Sequence, residues 1–283
     1  MKKKLLICDL DNTIYDWSGY FVPAFYQMID EVVRLTSCDR EELLDDFKSV
    51  HQLNHDSEHP FALLDTRTIK NLYPMASRQE LAISLNSAFH AFNSSRKRNL
   101  RLYPGVLDAL VEILATGTTI VAHTEGKLFS VLDRLRRLGL GEIFSKIYCR
   151  QRSLSRHPSP EVSGSWLDQF PMSKVTELSH HQRKPNATVV LEICQTIGVK
   201  PSECAYVGDS IARDILMAKK AGVFSIWAKY GATSEENYRK LVRVSHWTSA
   251  DVERERELNK QAMGIYPDLT LALSFREILT AVP

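Results

Sequence analysis

Five short runs of apolar, β-branched residues alternate with helical patterns along this chain, and that alternation narrows its possible folds more than any other feature. The runs are Lys4–Asp9, Thr118–Thr124, Ile143–Cys149, Cys204–Asp209 and Phe224–Tyr230. Helical spacing of apolar residues covers Leu107–Thr116, Lys127–Leu138, Asn186–Ile197 and Ile211–Ala221. The last three meet Gly139, Gly198 and Gly222, where a left-handed residue can close a helix. Short connections between strand and helix predict an α/β fold: a parallel sheet covered by helices on both faces.

One block breaks the alternation. Between Ile14 and Tyr103 the pattern is helical throughout. Phe25–Leu35 has helical apolar spacing, and Asp39-Arg40-Glu41-Glu42 and Ser77-Arg78-Gln79-Glu80 read as capping boxes that open helices. Pro104-Gly105 marks the return to the alternating pattern. The predicted organisation is therefore a discontinuous α/β core of residues 1–15 and 104–283, with a helical domain inserted at 16–103. Residues 150–183, rich in Ser, Pro and Arg, are expected to form a long loop with a short helix.

The strand ends carry the chemistry. Leu5–Asp9 runs straight into Asp9-Leu10-Asp11, which places two carboxylates where open α/β sheets bind their ligands. The pair repels itself and asks for a cation, a shared proton, or both. A divalent metal with oxygen ligands is one answer and suits phosphoryl chemistry. Thr124, ending the second run ahead of Glu125 and Gly126, could hold a phosphate oxygen together with backbone N–H groups at the next helix start. Lys184, just before a helix, can neutralise developing negative charge. Asp209 could complete a metal site, and Asp214 fits a role in orienting Lys184 or a water on the metal.

Composition excludes several classes. The chain has 283 residues, of which 44% are hydrophobic and 25% charged, as expected of a globular protein large enough for one core plus an insertion. A net charge of +2 with scattered lysines and arginines makes no electrostatic case for nucleic acid. No stretch approaches the ~18 apolar residues of a membrane span. The apolar run after Met1-Lys2-Lys3-Lys4 stops at Asp9, too soon for a secretion signal. Cys8, Cys38, Cys149, Cys194 and Cys204 form no C-x-x-C and read as reduced thiols. A cytoplasmic protein is expected, with no membrane or nucleic-acid partner; its oligomeric state is not legible.

Taken in order, these residues resemble the four motifs of the haloacid dehalogenase superfamily. Asp9-Leu10-Asp11-Asn12-Thr13 is similar to the first, Thr124 to the second, Lys184 to the third, and Gly208-Asp209 with Asp214 to the fourth. The continuation Ile215-Leu216-Met217-Ala218-Lys219-Lys220-Ala221-Gly222 is also similar to what the family shows there. The resemblance covers 1–15 and 104–283 and implies a Rossmann-like core whose helical insertion is a cap. It also implies a phosphatase in which Asp9 is the nucleophile that becomes an aspartyl phosphate, and Asp11 the acid and then the base. Mg2+ would be held by Asp9, the backbone of Asp11 and Asp209. Thr124 and Lys184 would hold the phosphoryl oxygens, with Asn12, Glu125 and Gly126 lining the same pocket. Members that attack carbon lack the second acid, so Asp11 points to phosphate esters, with a small phosphorylated metabolite (a sugar phosphate or nucleotide monophosphate) as substrate. Phosphotransfer to an acceptor other than water, or phospho-ligand sensing with little turnover, are the alternatives. Two departures stand out: Glu125 replaces a frequent neutral residue, and the loop before Lys184 is long, which leaves Lys174 as a second candidate.

Four further features are read without a catalytic role. His51, His55 and His59 recur at i, i+4, i+8, a spacing that could bind a transition metal, but they are flanked by poor helix formers and read as a solvated turn. Trp17, Tyr20, Phe21, Phe25 and Tyr26 read as core of the insertion, with one or two facing the reaction cavity. In 150–183 and the adjoining Lys184, the basic residues Arg150, Arg152, Arg156, Lys174, Arg183 and Lys184 outnumber Glu161, Asp168 and Glu177, and an exposed loop is expected. Glu235–Lys260 reads as solvated surface helix.

Overall fold

The computed structural model describes residues 3–151 and 170–282. Seven parallel strands form one sheet in the order β4-β3-β2-β1-β5-β6-β7. The strands are β1 (Leu5–Cys8), β2 (Thr119–Lys127), β3 (Lys146–Arg150), β4 (Val175–Leu178), β5 (Cys204–Gly208), β6 (Phe224–Ala228) and β7 (Leu269–Leu271). Five match the sequence expectation. The two it lacked, β4 and β7, are the sheet's edges, of four and three residues. An edge strand pairs on one side only and needs no continuous apolar run, so neither leaves a pattern to read. The expected long loop at 150–183 therefore contains a strand; Arg152, Arg156, Glu161 and Asp168 lie outside the described residues.

Helices follow in chain order as α1 (Trp17–Thr36), α2 (Arg40–Asn54), α3 (Arg67–Leu72), α4 (Arg78–Ser84), α5 (Asn86–Asn99), α6 (Val106–Ala115), α7 (Leu128–Arg137), α8 (Ala187–Ile197), α9 (Leu216–Lys220), α10 (Glu235–Val244) and α11 (Ser249–Gln261). Alternation along β1 sends Leu6 and Cys8 into a cluster with residues of α6 and α7, and Leu5 and Ile7 into one with residues of α8 and α9. The sheet is thus covered on both faces. Gly139, Gly198 and Gly222 all lie in the left-handed region, as the helix-end reading requires. Ile211–Ile215 is a π-helical turn leading into α9 rather than one continuous α-helix.

Residues 17–99 are helical and bury a cluster of their own, including Phe21, Phe25, Phe47 and Phe92. Ser77 and Glu80 form a full capping box, whereas Asp39 caps α2 without a reciprocal bond. Tyr20, Phe21 and Phe25 are core as expected, and Trp17 packs against both this cluster and the sheet cluster. His51 departs from the reading of a solvated turn. It is fully buried beside Phe25 and Phe47, because α2 continues to Asn54 and turns that side chain inward. The three histidines do not converge on a metal site; the one potential ligand cluster among the described residues is Asp9, Asp209 and Asp214.

The charged stretch at Glu235–Lys260 is helical and largely solvent-facing, but it also joins two parts of the molecule. The last carbonyls of α10 receive donors from α1 and α2: Tyr26 Oη to Lys240 O at 3.2 Å, Lys48 Nζ to Val242 O at 3.2 Å, and His51 Nδ1 to Val244 O at 2.6 Å. A carbonyl only accepts, so His51 carries its proton on Nδ1. Helix α11 lies instead against the loops that carry Lys184 and Asp214. No helix among the described residues is long and apolar enough to cross a membrane.

Candidate active site

Sheet register brings the predicted residues to one place. Cys8 pairs with Ala122 on one side and Val207 on the other. Asp9 therefore leaves β1 level with His123 and Gly208, one step short of Thr124 and Asp209. Strand order reverses direction at β1, and the crevice beyond the strands' carboxyl ends at such a point is where open α/β sheets bind ligands.

Asp9 is 5% exposed. Its Oδ1 accepts from Lys184 Nζ at 2.5 Å and its Oδ2 from Thr13 Oγ1 at 2.9 Å. The Lys184 ammonium, itself buried, also donates to Asp214 Oδ1 at 2.8 Å. Asp214 further accepts from the Ser210 N–H at 3.1 Å and from Tyr206 Oη at 3.3 Å. Ligand oxygens of Asp9, Asp209 and Asp214 lie within 4.8 Å of one another. Burial pushes the Asp9 carboxyl up, against the pull of Lys184 and with help from Asp214, from 3.8 to about 7. Burial, then Asp9 and Asp214, hold Asp209 well above the usual carboxylate range. Lys184 stays protonated despite its burial because Asp214 and Asp9 face it.

Fully ionised, three carboxylates against one ammonium would leave this cluster two negative charges in excess, a state that burial opposes and a bound cation would favour. Its donors are all hard oxygens, which fits a small divalent cation. Asp214 has both oxygens engaged, whereas the Asp209 carboxylate makes no hydrogen bond among the described residues. Asp9 and Asp209 are therefore the carboxylates that could hold a metal, with Asp214 orienting Lys184. Lys174, the second candidate, pairs instead with Glu142 at 3.0 Å.

The remaining predicted residues are placed as follows. Thr124 is buried, and its hydroxyl accepts from the Gly126 N–H at 3.0 Å. Glu125 accepts from the Lys184 N–H at 3.2 Å and lies 3.9 Å from Arg150. Asn12, at φ 59°, spends its amide on Ser18 N at 3.0 Å and Thr233 Oγ1 at 3.2 Å, fastening the start of α1 and the loop after β6. Gly231 makes that packing possible: a Cβ there would sit 1.7 Å from Asn12 O.

Asp11 does not join the carboxylate cluster. Its Oδ1 accepts from Tyr15 Oη at 2.7 Å and lies 3.2 Å from Arg134 Nη2. Sequence reasoning missed Tyr15, Arg134, His123 and Tyr206. Arg134 did carry a signal, a charge on the inward face of α7 amid Leu128, Val131, Leu132 and Leu135. His123 and Tyr206, whose Nδ1 and Oη are 3.2 Å apart, read only as ordinary strand residues. Burial, then Lys184, holds His123 well below the usual imidazole range, so it is neutral.

Residues 3–222 match the family of haloacid dehalogenase-like hydrolases. A glyceraldehyde 3-phosphate phosphatase of Methanopyrus kandleri is 25% identical over 260 residues, covering 90% of this chain and 95% of its own length. A phosphoglycolate phosphatase of Chromobacterium violaceum is 31% identical over 130 residues, 46% of either chain. Among solved structures, a 2-haloacid dehalogenase from Pseudomonas syringae aligns with a TM-score of 0.54 at 20% identity, over 100% of this chain and 98% of its own. That likeness concerns the fold alone.

Proposed function

The chain belongs to the haloacid dehalogenase-like hydrolases, and from that premise we propose that it is a magnesium-dependent phosphatase acting on a small phosphomonoester through an aspartyl phosphate. The carrying observation is Lys184 Nζ seated between Asp9 and Asp214 beside Asp209. It sets a nucleophilic carboxylate, a fixed cation and metal-binding oxygens in one buried place.

In this reading Asp9 attacks phosphorus. The ester P–O bond breaks as Asp11 gives its proton to the leaving oxygen. Asp11 then takes a proton from water as that water attacks the aspartyl phosphate, releasing phosphate and regenerating the Asp9 carboxylate. Lys184 balances charge on the phosphoryl oxygens throughout, and Thr124 contributes its hydroxyl. Mg2+ would be held by the carboxylates of Asp9 and Asp209 and the backbone carbonyl of Asp11, and when bound it would neutralise the oxygens being transferred. Residues 16–103 act as the cap over the mouth and set substrate choice, and 1–15 with 104–283 form the catalytic core.

The second acid, Asp11, favours phosphate over carbon as the electrophile. The named relatives act on glyceraldehyde 3-phosphate and phosphoglycolate, which supports a small phosphorylated metabolite. The test is phosphate release from a panel holding both compounds, sugar phosphates and nucleoside monophosphates, with Mg2+ and with chelator. Turnover that needs the metal and disappears in Asp9→Asn is expected. No turnover on any member, with metal shown to be bound, would refute the reading.

A further inference from the structure

Arg134 is the largest fully buried side chain among the described residues, and its charge is met by Asp11, Tyr15 and Glu58. Its Nε donates to Tyr15 Oη at 2.9 Å, and that hydroxyl donates in turn to Asp11 Oδ1 at 2.7 Å. Its Nη2 lies 3.2 Å from the same Asp11 oxygen, an ion-pair contact outside hydrogen-bond geometry. Its Nη1 meets Glu58 Oε2 at 2.5 Å. Glu58 belongs to the helical insertion, just past α2, whereas Arg134 sits on α7 beneath the sheet's carboxyl edge. Gly126 packs closely against α7: a Cβ there would stand 2.6 Å from Val131 Cγ2 and 3.1 Å from Arg134 Nη2.

Burying a guanidinium costs several kcal/mol unless well-placed carboxylates and hydrogen bonds repay it. A leucine would continue the apolar face of α7 without that cost. The arrangement spends it on orienting one oxygen of Asp11 from two directions, and one of the two anions that repay it comes from the insertion.

We propose that Arg134 is the positioning residue for Asp11, and that Glu58 makes this positioning depend on the insertion being seated on the core. The inference rests on the phosphatase reading, because it assigns a device to that reaction's acid and base. With Tyr15 bonded to Oδ1 and the Arg134 charge held beside it, rotation of the Asp11 carboxyl is restrained and its other oxygen is left for the leaving group. When the insertion lifts, Glu58 leaves, and Arg134 is no longer held at both ends.

The test uses leaving groups that differ in their need for a proton. An alkoxide cannot depart unprotonated, whereas p-nitrophenolate can. In Arg134→Met, kcat/KM for the best alkyl phosphate of the panel should fall about 100-fold, the lower end of what general acid catalysis supplies. For p-nitrophenyl phosphate it should fall less than about fivefold, with a burst of p-nitrophenol because the second step still needs Asp11 as base. Glu58→Gln keeps Arg134 in place and should show the same selectivity at about tenfold; it decides the matter if Arg134→Met does not fold. Asp11→Asn serves as the reference for lost acid catalysis. If Asp11→Asn discriminates between the two esters while Arg134→Met and Glu58→Gln slow both equally, the positioning role is wrong and the phosphatase reading stands. If Asp11→Asn shows no discrimination, the role given to Asp11 fails and this inference falls with it.

Discussion

Replacing Asp9 with Asn should abolish activity and yet stabilise the metal-free fold, increasingly so as pH rises. An ordinary carboxyl loses its proton near 3.8, while burial lifts Asp9 in the folded protein to about 7. The folded state therefore holds this proton more tightly than the unfolded one. Its contribution favours folding below about pH 4 and is lost as pH rises through about 7. At about 1.4 kcal/mol per pK unit, ionisable Asp9 costs the fold about 2 kcal/mol at pH 5 and about 4 kcal/mol at pH 8. The Asn variant avoids this cost at both. Relative to wild type it should gain about 2 to 3 kcal/mol between the two pH values, roughly 4–12 °C in Tm for a domain this size.

The comparison must be made between the two proteins and not along the wild-type curve. Buried histidines slope the other way: burial lowers His246 to about 4, and His51 and His123 are lowered too. Each favours folding more as pH rises toward the unfolded value of about 6.5 and adds nothing further above it, so together they can mask Asp9 in wild type over the lower part of the range. They are common to both proteins and cancel in the difference. Urea melts of wild type and Asp9→Asn in chelator at pH 5, 6, 7 and 8 measure it. A stability difference flat within about 0.5 kcal/mol, or one shrinking toward pH 8, would show that Asp9 is not a buried carboxylate in net negative surroundings.

Two other outcomes follow from the same geometry. Mg2+ should raise the Tm of wild type more at pH 8 than at pH 6, because protons compete for Asp9 and Asp209, and Asp209→Asn should lose most of the shift in a thermal melt. Gly231→Ala should cost at least about 2 kcal/mol in chemical denaturation and lower kcat, since the new methyl must displace the Asn12 carbonyl in the nucleophile loop; wild-type stability and rate would contradict the close approach.

What was legible in the sequence follows the number of constraints on each residue. Strands β1, β2, β3, β5 and β6 are paired on both sides, so their apolar runs stand out, whereas β4 and β7 at the edges leave no trace. Asp9, Lys184, Asp209 and Asp214 were found because their order along the chain mirrors their convergence in space. Arg134 was missed because a single charge on an amphipathic helix reads as a rim residue until its partners, Glu58 and Asp11, are seen from distant parts of the chain. His51 was misplaced for a related reason: its neighbours Asn54 and Asp56 are poor helix formers, but α10 supplies the carbonyl that makes a buried imidazole tolerable there.

The α10–α11 pair eluded side-chain patterning because its contacts with the insertion run through backbone carbonyls, which no pattern of residue types records. Arg243 adds ion pairs to Asp45 at 2.6 Å and Glu41 at 3.0 Å. On the other side, Arg254 Nη2 donates to Lys184 O at 2.8 Å, Asp251 pairs with Arg183 at 3.0 Å, and Glu255 with Arg213 at 2.6 Å. One helix of the pair is thus fastened to the insertion, and the other to Arg183, to the Lys184 carbonyl and to Arg213 just before Asp214. Only residues 245–248 separate them. Ser57, one residue before Glu58, bonds His246 inside that short segment at 2.8 Å. Any motion that parts insertion from core must break these bonds or be absorbed by those four residues, so a chain of contacts runs from the insertion to the Lys184 backbone through the α10–α11 pair, and another to Asp11 through Arg134.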